Sequence, residues 1–325
     1  MKFGVLQFFS WPERRTGLAE VYQRALQRVD IMDAAGYDAV WLAEHHFSTY
    51  SVCPSVHLMG MHIADRTQHI RIGMGVSLAA FYHPLRLAEE VALLDQLSGG
   101  RVNWGAGRGF DQKEMDTFGV APEDSYARFR EHVDIVLRAW QPGAMSYNGT
   151  FHQFEDVEVL PKPLQDPMPV WMATSTEEAI SWAAAQGHAI LMDPHSTHAD
   201  IGRKRAAYWQ QMRAAGHTHK QDIPVARLLA IAETDAKAEA VARAGAEWTV
   251  GGYASGKRGG PPALMSPEQR VEQYVDEIIV HGSPARVVEQ LRELQETQGI
   301  DYLLASILSH ETFLRLTDEV IPQLA

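Results

Sequence analysis

A chain of 325 residues with 46% hydrophobic and 22% charged residues has an ordinary globular composition and the length to bury a sizeable core. Its 29 basic and 41 acidic residues leave a net charge of −12, which argues against nucleic acid or an anionic membrane as main partner, though a local basic patch could still bind a phosphate. The single cysteine, Cys53, excludes an internal disulfide, no stretch approaches the roughly 18 apolar residues of a membrane span, and the N-terminal apolar run is too short for a signal segment, so a cytoplasmic location is expected.

Short apolar runs alternate with amphipathic stretches along the chain. Phe3 to Phe9 reads as the first strand, and Gly17 to Ala35 as a helix closed by Gly36 as a left-handed C-cap. Asp38 to Leu42 is the second strand, Ser55 to Asp65 a helix, and Ile70 to Leu78 a third strand. Pro84 to Leu97 is a helix with proline in its first turn, followed by a fourth strand at Val102 to Ala106 and a helix at Ser125 to Trp140. The rhythm breaks at 145–160, where Asn148-Gly149 between Tyr147 and Phe151 predicts an inserted β-hairpin. Strands at Pro169 to Ala173, His188 to Met192 and Val225 to Ala232 each precede a helix (Glu177 to Gln186, His198 to Ala215, Asp235 to Trp248). Helices over Pro267 to Val280 and Pro284 to Thr297 lead to an eighth strand at Asp301 to Leu304.

This alternation predicts an α/β fold, a (β/α)8 TIM barrel forming one domain over residues 1–325. An open doubly wound sheet is the competing topology, but no Gly-x-Gly-x-x-Gly follows the first strand. The glycine- and proline-rich segment Gly251 to Pro262 cannot hold regular structure and reads either as a lid or as an inert flexible loop, spanning about 250–266. Ser266-Pro267-Glu268-Gln269 restarts a helix as a capping box.

Barrel chemistry sits at the C-terminal ends of the strands, so polar residues just past each strand are the candidates. After the second strand comes Glu44-His45-His46-Phe47. One of the two histidines can serve as a proton carrier, because imidazole titrates near neutrality, or it can be a structural group tied to a loop carbonyl. A metal site is a weak reading without matching ligands on other strand ends. After the fourth strand, Gly105-Ala106-Gly107-Arg108-Gly109 offers close backbone approach and a guanidinium fork for phosphate, or simply a tight turn with a surface arginine. After the fifth, Thr174-Ser175-Thr176 is either a helix N-cap or a phosphate cradle of hydroxyls and backbone N–H groups. Gly73-Met74-Gly75-Val76-Ser77 on the third strand has room for a flat ring against the backbone, or packs within the barrel. Glu89-Glu90 reads as a solvated helix face, and His132 as a helical residue without a catalytic role.

The pattern resembles the luciferase-like flavin-dependent monooxygenases, in particular the branch of the luciferase α-subunit. The likeness is carried by Met1-Lys2-Phe3-Gly4, Gly36-Tyr37-Asp38-Ala39-Val40-Trp41, Glu44-His45-His46-Phe47, His83-Pro84-Leu85-Arg86, and the run from Glu90 to Arg101. It continues through Gly107-Arg108-Gly109, Val159-Leu160-Pro161, the run from Trp182 to Gly187, and Gly282-Ser283-Pro284. The resemblance implies a barrel binding FMN at its strand C-termini, where reduced FMN and O2 give a flavin C4a-peroxide that oxidises an organic substrate. It implies His45 as the catalytic histidine, Gly75 and Val76 as the peptide against the isoalloxazine, and Arg108 with Ser175 and Thr176 as phosphate ligands, to which the reading of the strand-end hydroxyls adds Thr174. The segment Gly251 to Pro262 falls where the family carries a mobile active-site loop.

Two positions depart from the luciferases: their reactive cysteine falls at Gly107, and a phosphate-binding threonine at Ala179. Both bear on light emission more than on flavin binding. Phe8, Phe110 and Met192 are expected to make the substrate pocket apolar. With no nicotinamide fingerprint, the expected system has two components, a separate reductase supplying reduced FMN, and the expected assembly is a homodimer. The alternatives are an F420-dependent oxidoreductase of the same superfamily, a non-catalytic flavin binder, or a metal-dependent barrel hydrolase.

Overall fold

The computed structural model describes residues 1–218, 222–253 and 265–324. Its strands are β1 (Lys2–Gln7), β2 (Ala39–Leu42), β3 (Arg71–Met74), β4 (Ser77–Leu78), β5 (Val102–Gly107), β6 (Met145–Asn148), β7 (Gln153–Val157), β8 (Val170–Thr174), β9 (Ala189–Met192), β10 (Pro224–Ile231), β11 (Val280–Gly282) and β12 (Tyr302–Ile307). The main sheet runs β10-β12-β1-β2-β3-β5-β8-β9, and a β9–β10 pair returns it to its start, with β11 appended to β10 and β4 to β5. Every ladder with a defined register in it is parallel. This strand order is that of the expected (β/α)8 barrel. The helices are α1 (Leu18–Ala35), α2 (Val56–Arg66), α3 (Pro84–Leu97), α4 (Gln112–Phe118), α5 (Ser125–Ala139), α6 (Glu177–Ala185), α7 (His198–Ala214), α8 (Asp235–Tyr253), α9 (Pro267–Gln273), α10 (Pro284–Gln298) and α11 (His310–Arg315).

The chain divides into two compact units. One comprises Met1–Phe8, Ala34–Trp41 and Met172–Ala325. Its strands are almost wholly apolar because they are covered on both faces, as parallel strands must be. On one side of β10, Leu228 and Ala230 pack with Ala242, Ala246, Val271, Tyr274 and Ile278. A polar cluster ties strand ends together: Trp41 Nε1 donates to the Tyr302 hydroxyl at 3.1 Å, Tyr302 donates to Asp38, and Lys2 Nζ lies 3.0 Å from both Asp38 and Asp222. Gly36 takes φ +76°, the left-handed turn expected of it.

The other unit comprises Phe9–Asp33 and Leu42–Trp171. Ser55 caps α2 by accepting the Leu58 N–H. Arg101 closes the opposite end of α2, donating to the carbonyls of Ala64 and Ile70 and to the Thr67 hydroxyl, which gives the Ser98-Gly99-Gly100-Arg101 run a structural purpose. The inserted hairpin is present as β6–β7, but it turns through a longer loop than Asn148-Gly149 alone: Gly149 N–H bonds His152 O, and the Glu131 carboxylate on α5 accepts the N–H groups of Thr150, Phe151 and His152.

Three readings change. The third strand is split in two at Gly75-Val76, and its register against β5 shows why. Gly73 pairs with Asn103 but Ser77 with Ala106, so four steps on one strand meet three on the other and one residue is left over. Gly251 and Gly252 lie in α8, not in a loop; the rest of the expected lid, 254–264, lies outside the described residues. Glu90 is not a solvated acid: its carboxylate lies 3.2 Å from His57 Nδ1 and bonds Arg86, and His57 before Arg86 holds it below its ordinary pKa.

Candidate active site

In the second unit, the segment after β2 is built around two buried carboxylates. Glu44 has no exposed side-chain surface; one oxygen lies 3.1 Å from His46 Nε2 and the other accepts the Leu78 N–H at 3.3 Å. Burial first, and the Glu44 charge second, drive the Tyr82 hydroxyl far above its usual pKa. The same two causes push the Cys53 thiol up to about 12, which keeps it protonated and removes it as a nucleophile. The second carboxylate, Glu114, comes from α4. Asp111 caps that helix by accepting the N–H groups of Lys113 and Glu114, and the first turn points Glu114 inward, 2% exposed. Glu114 Oε1 accepts the His46 backbone N–H at 2.7 Å and lies 3.4 Å from His45 Nδ1. The His45 ring, 12% exposed, meets Tyr50 edge-on at 5.1 Å and Phe110 at 6.0 Å between centroids.

The break between β3 and β4 is held from several sides in the same unit. Gly75 N–H donates to Leu42 O at 2.8 Å, Ser77 Oγ meets His57 Nε2 at 2.9 Å, and Leu78 N–H is bound by Glu44. The Gly75-Val76 peptide is cis. Val76 fills the space over Gly107, where a Cβ would fall 2.2 Å from Val76 Cγ2. A side chain at 107 and Val76 in this position cannot occupy one volume. Arg108 follows directly, donating to Ser125 Oγ at 2.8 Å with its guanidinium 4.2 Å from the Tyr126 ring centre, and it remains partly exposed.

In the first unit, β8 ends in Thr174 and α6 starts behind Thr176, whose side chain accepts the Ala179 N–H at 3.2 Å. Ser175 and Thr176 are exposed, whereas Thr174 is buried with a hydroxyl that has no hydrogen-bond partner among the described residues. An orphaned buried hydroxyl at a strand C-terminus, next to two exposed ones and a helix N-terminus, is a donor set that suits the phosphate ester of FMN. Phe8 is half-buried and Met192, the last residue of β9, is fully buried; Phe110 in the second unit is half-buried.

Sequence reasoning missed two charged groups. Glu114 sits on a seven-residue helix that had no predicted element, although Asp111 three residues before Glu114 is a helix-start signal. Arg227 stands mid-strand in β10, fully buried, donating to the carbonyls of Ser196 at 2.6 Å and Asp193 at 2.8 Å. Burial lowers its pKa to about 10, so it stays charged at neutral pH. Its effect is to clamp the loop after β9, where Asp193 accepts the N–H groups of His195 and Ser196 and His195 Nδ1 meets the Tyr274 hydroxyl at 3.1 Å. Its signal was a lone charge within an apolar run.

The model of the luciferase-like monooxygenase family matches residues 1–301, and the chain belongs to that family of flavin-dependent monooxygenases and oxidoreductases. It is 31% identical over 178 residues to the oxygenase component of the flavin-dependent trigonelline monooxygenase of Acinetobacter baylyi, covering 54% of this chain and 49% of that one. It is 32% identical over 194 residues to the alkanal monooxygenase alpha chain of Aliivibrio fischeri, covering 58% and 52%. The chain thus spans about half the length of these curated relatives. Among solved structures, monooxygenase RslO1 from Streptomyces bottropensis aligns over 100% of both chains with a TM-score of 0.87 at 26% identity. Among the described residues, no helix is long and apolar enough to cross a membrane.

Proposed function

We propose that the chain is the oxygenase of a two-component system in the cytoplasm. It takes reduced FMN from a separate flavin reductase and uses O2 to oxygenate a small, apolar organic substrate. Family membership supports the flavin, and the relative named as an oxygenase component supports the separate reductase. The observation that carries the reading is His45, a little-exposed imidazole at the C-terminal end of a barrel strand, flanked by aromatic rings and a buried carboxylate. That is the setting in which a histidine handles protons with water largely excluded.

Reduced FMN, when bound, supplies the electrons that activate O2. In the proposed roles, Arg108 and the hydroxyls of Thr174, Ser175 and Thr176 bind its phosphate, and Gly75-Val76 offers backbone to its ring. His45 holds or passes a proton at Nε2, while Phe8, Phe110 and Met192 line the substrate pocket. A homodimeric assembly belongs to the same proposal.

The test is a screen of small apolar compounds with reduced FMN and O2, read by mass for products one oxygen atom heavier. His45→Ala should keep FMN binding and lose about 10²-fold or more in turnover. Full turnover in that variant removes His45 from the mechanism. Activity with reduced F420 and none with reduced FMN replaces the cofactor assignment.

A further inference from the structure

The partners of one carboxylate decide where the His45 proton lies. A backbone N–H can only donate, so Glu114 Oε1, which takes the His46 N–H at 2.7 Å, is an acceptor there. The same oxygen faces His45 Nδ1 at 3.4 Å. An ionised Glu114 carboxylate can only accept, so opposite it Nδ1 carries the hydrogen, and in the neutral ring Nε2 is the basic atom. Glu114 has little freedom to do otherwise: its side chain is buried, and α4 is fastened to the histidine segment a second time by Lys113 Nζ, which donates to Phe47 O at 2.9 Å. The neighbouring His46 ring faces a different carboxylate, Glu44, so the tandem histidines do not compete for one partner.

We propose that Glu114 is the positioning residue for His45. It fixes the ring's orientation and its Nδ1–H tautomer, so that Nε2 is the atom offered to the reacting proton. This rests on the reading of His45 as the proton carrier, and it adds a residue and a tautomer that the reading does not require. By holding the His45 side chain and the His46 peptide with one oxygen, Glu114 also sets the angle at which the first histidine leaves the strand.

The experiment uses the full chain labelled with 15N-histidine, with His45 assigned by its loss in His45→Gln. Long-range 1H–15N spectra distinguish Nδ1–H from Nε2–H. The wild-type protein should show His45 as Nδ1–H when neutral. Glu114→Met should shift the ring toward Nε2–H and lower kcat about 10- to 100-fold, with KM for the substrate changed by no more than about twofold. Glu114→Gln, which keeps an acceptor oxygen without the charge, should retain the tautomer and fall between the two in rate. Should Glu114→Met fail to fold, the wild-type and Glu114→Gln spectra decide. A wild-type His45 found as Nε2–H, or a folded Glu114→Met that keeps Nδ1–H and wild-type kcat, overturns the proposal. The tautomer is read without turnover, so a fully active His45→Ala would end the proton-carrier reading while leaving the Glu114 contact measurable.

Discussion

Replacing Gly107 with alanine puts a methyl group where Val76 already stands. The new Cβ would lie 2.2 Å from Val76 Cγ2 and 3.2 Å from Val76 Cβ, against about 3.5–4.0 Å for carbon atoms in contact. One of them must retreat by about 1 Å or more; with the backbone on both sides held, the half-buried Val76 side chain can yield only by leaving its rotamer. Gly107 ends β5 in register with Leu78, and Val76 lies between a hydrogen-bonded Gly75 and a Ser77 held by His57. Overpacking of a core costs about 1–3 kcal/mol, and the pinned neighbours put this case at about 2–3 kcal/mol. That lowers the folded-to-unfolded ratio about 30- to 150-fold. Urea unfolding of Gly107→Ala, Val76→Ala and the double variant measures it. Alanine at 76 removes the clashing atoms, so the second substitution should cost little in that background, a coupling of about 2 kcal/mol. Gly107→Cys should behave alike and be tolerated only with alanine at 76. A Gly107→Ala protein with the wild-type midpoint, or strictly additive costs, refutes the packing argument.

Acid should weaken the second unit through His132. Burial first, with His152 and Arg128 adding to it against the Ala79 carbonyl, lowers its pKa to about 4 from the ordinary 6.5. The unfolded chain binds a proton below 6.5 that the folded chain refuses until about 4, so stability falls as pH drops through that window and levels off beneath it. The gap is worth up to about 3 kcal/mol, and His132→Gln should flatten the slope; an identical acid profile contradicts the assignment. Arg227→Met should free the carbonyls of Asp193 and Ser196 and speed amide exchange across 193–197, with Arg227→Lys restoring only part of the protection. Unchanged exchange there would show that the loop holds itself.

Much of the barrel was legible because its rules are local. Helix α3 keeps its expected bounds, Pro84 to Leu97, since proline starts it and Ser98-Gly99-Gly100 stops it. The capping box at Ser266 is present with both of its bonds. What escaped depended on residues far apart in sequence. The run from Ile70 to Leu78 reads as one strand, because only pairing with β5 reveals the leftover residue at the Gly75-Val76 break. A glutamate on a short helix reads as surface until Asp111 and the His46 peptide turn it inward, as they do Glu114. Glu90 likewise read as solvated because His57, its partner, lies 33 positions away. For the candidate site, Glu44-His45-His46-Phe47 drew notice by residue type alone, whereas nothing in that motif announces which carboxylate faces which histidine.

The central proposal is that this chain binds FMN through Arg108 and the hydroxyls at and after the end of β8, and the most direct test is an anaerobic titration with reduced FMN. The account predicts saturable binding of one FMN per chain, weakened about tenfold or more by Arg108→Ala and also weakened by Thr174→Val, as charge-assisted and buried hydrogen bonds are lost. No binding of reduced FMN by the wild-type chain, or an affinity untouched by both substitutions, would contradict it.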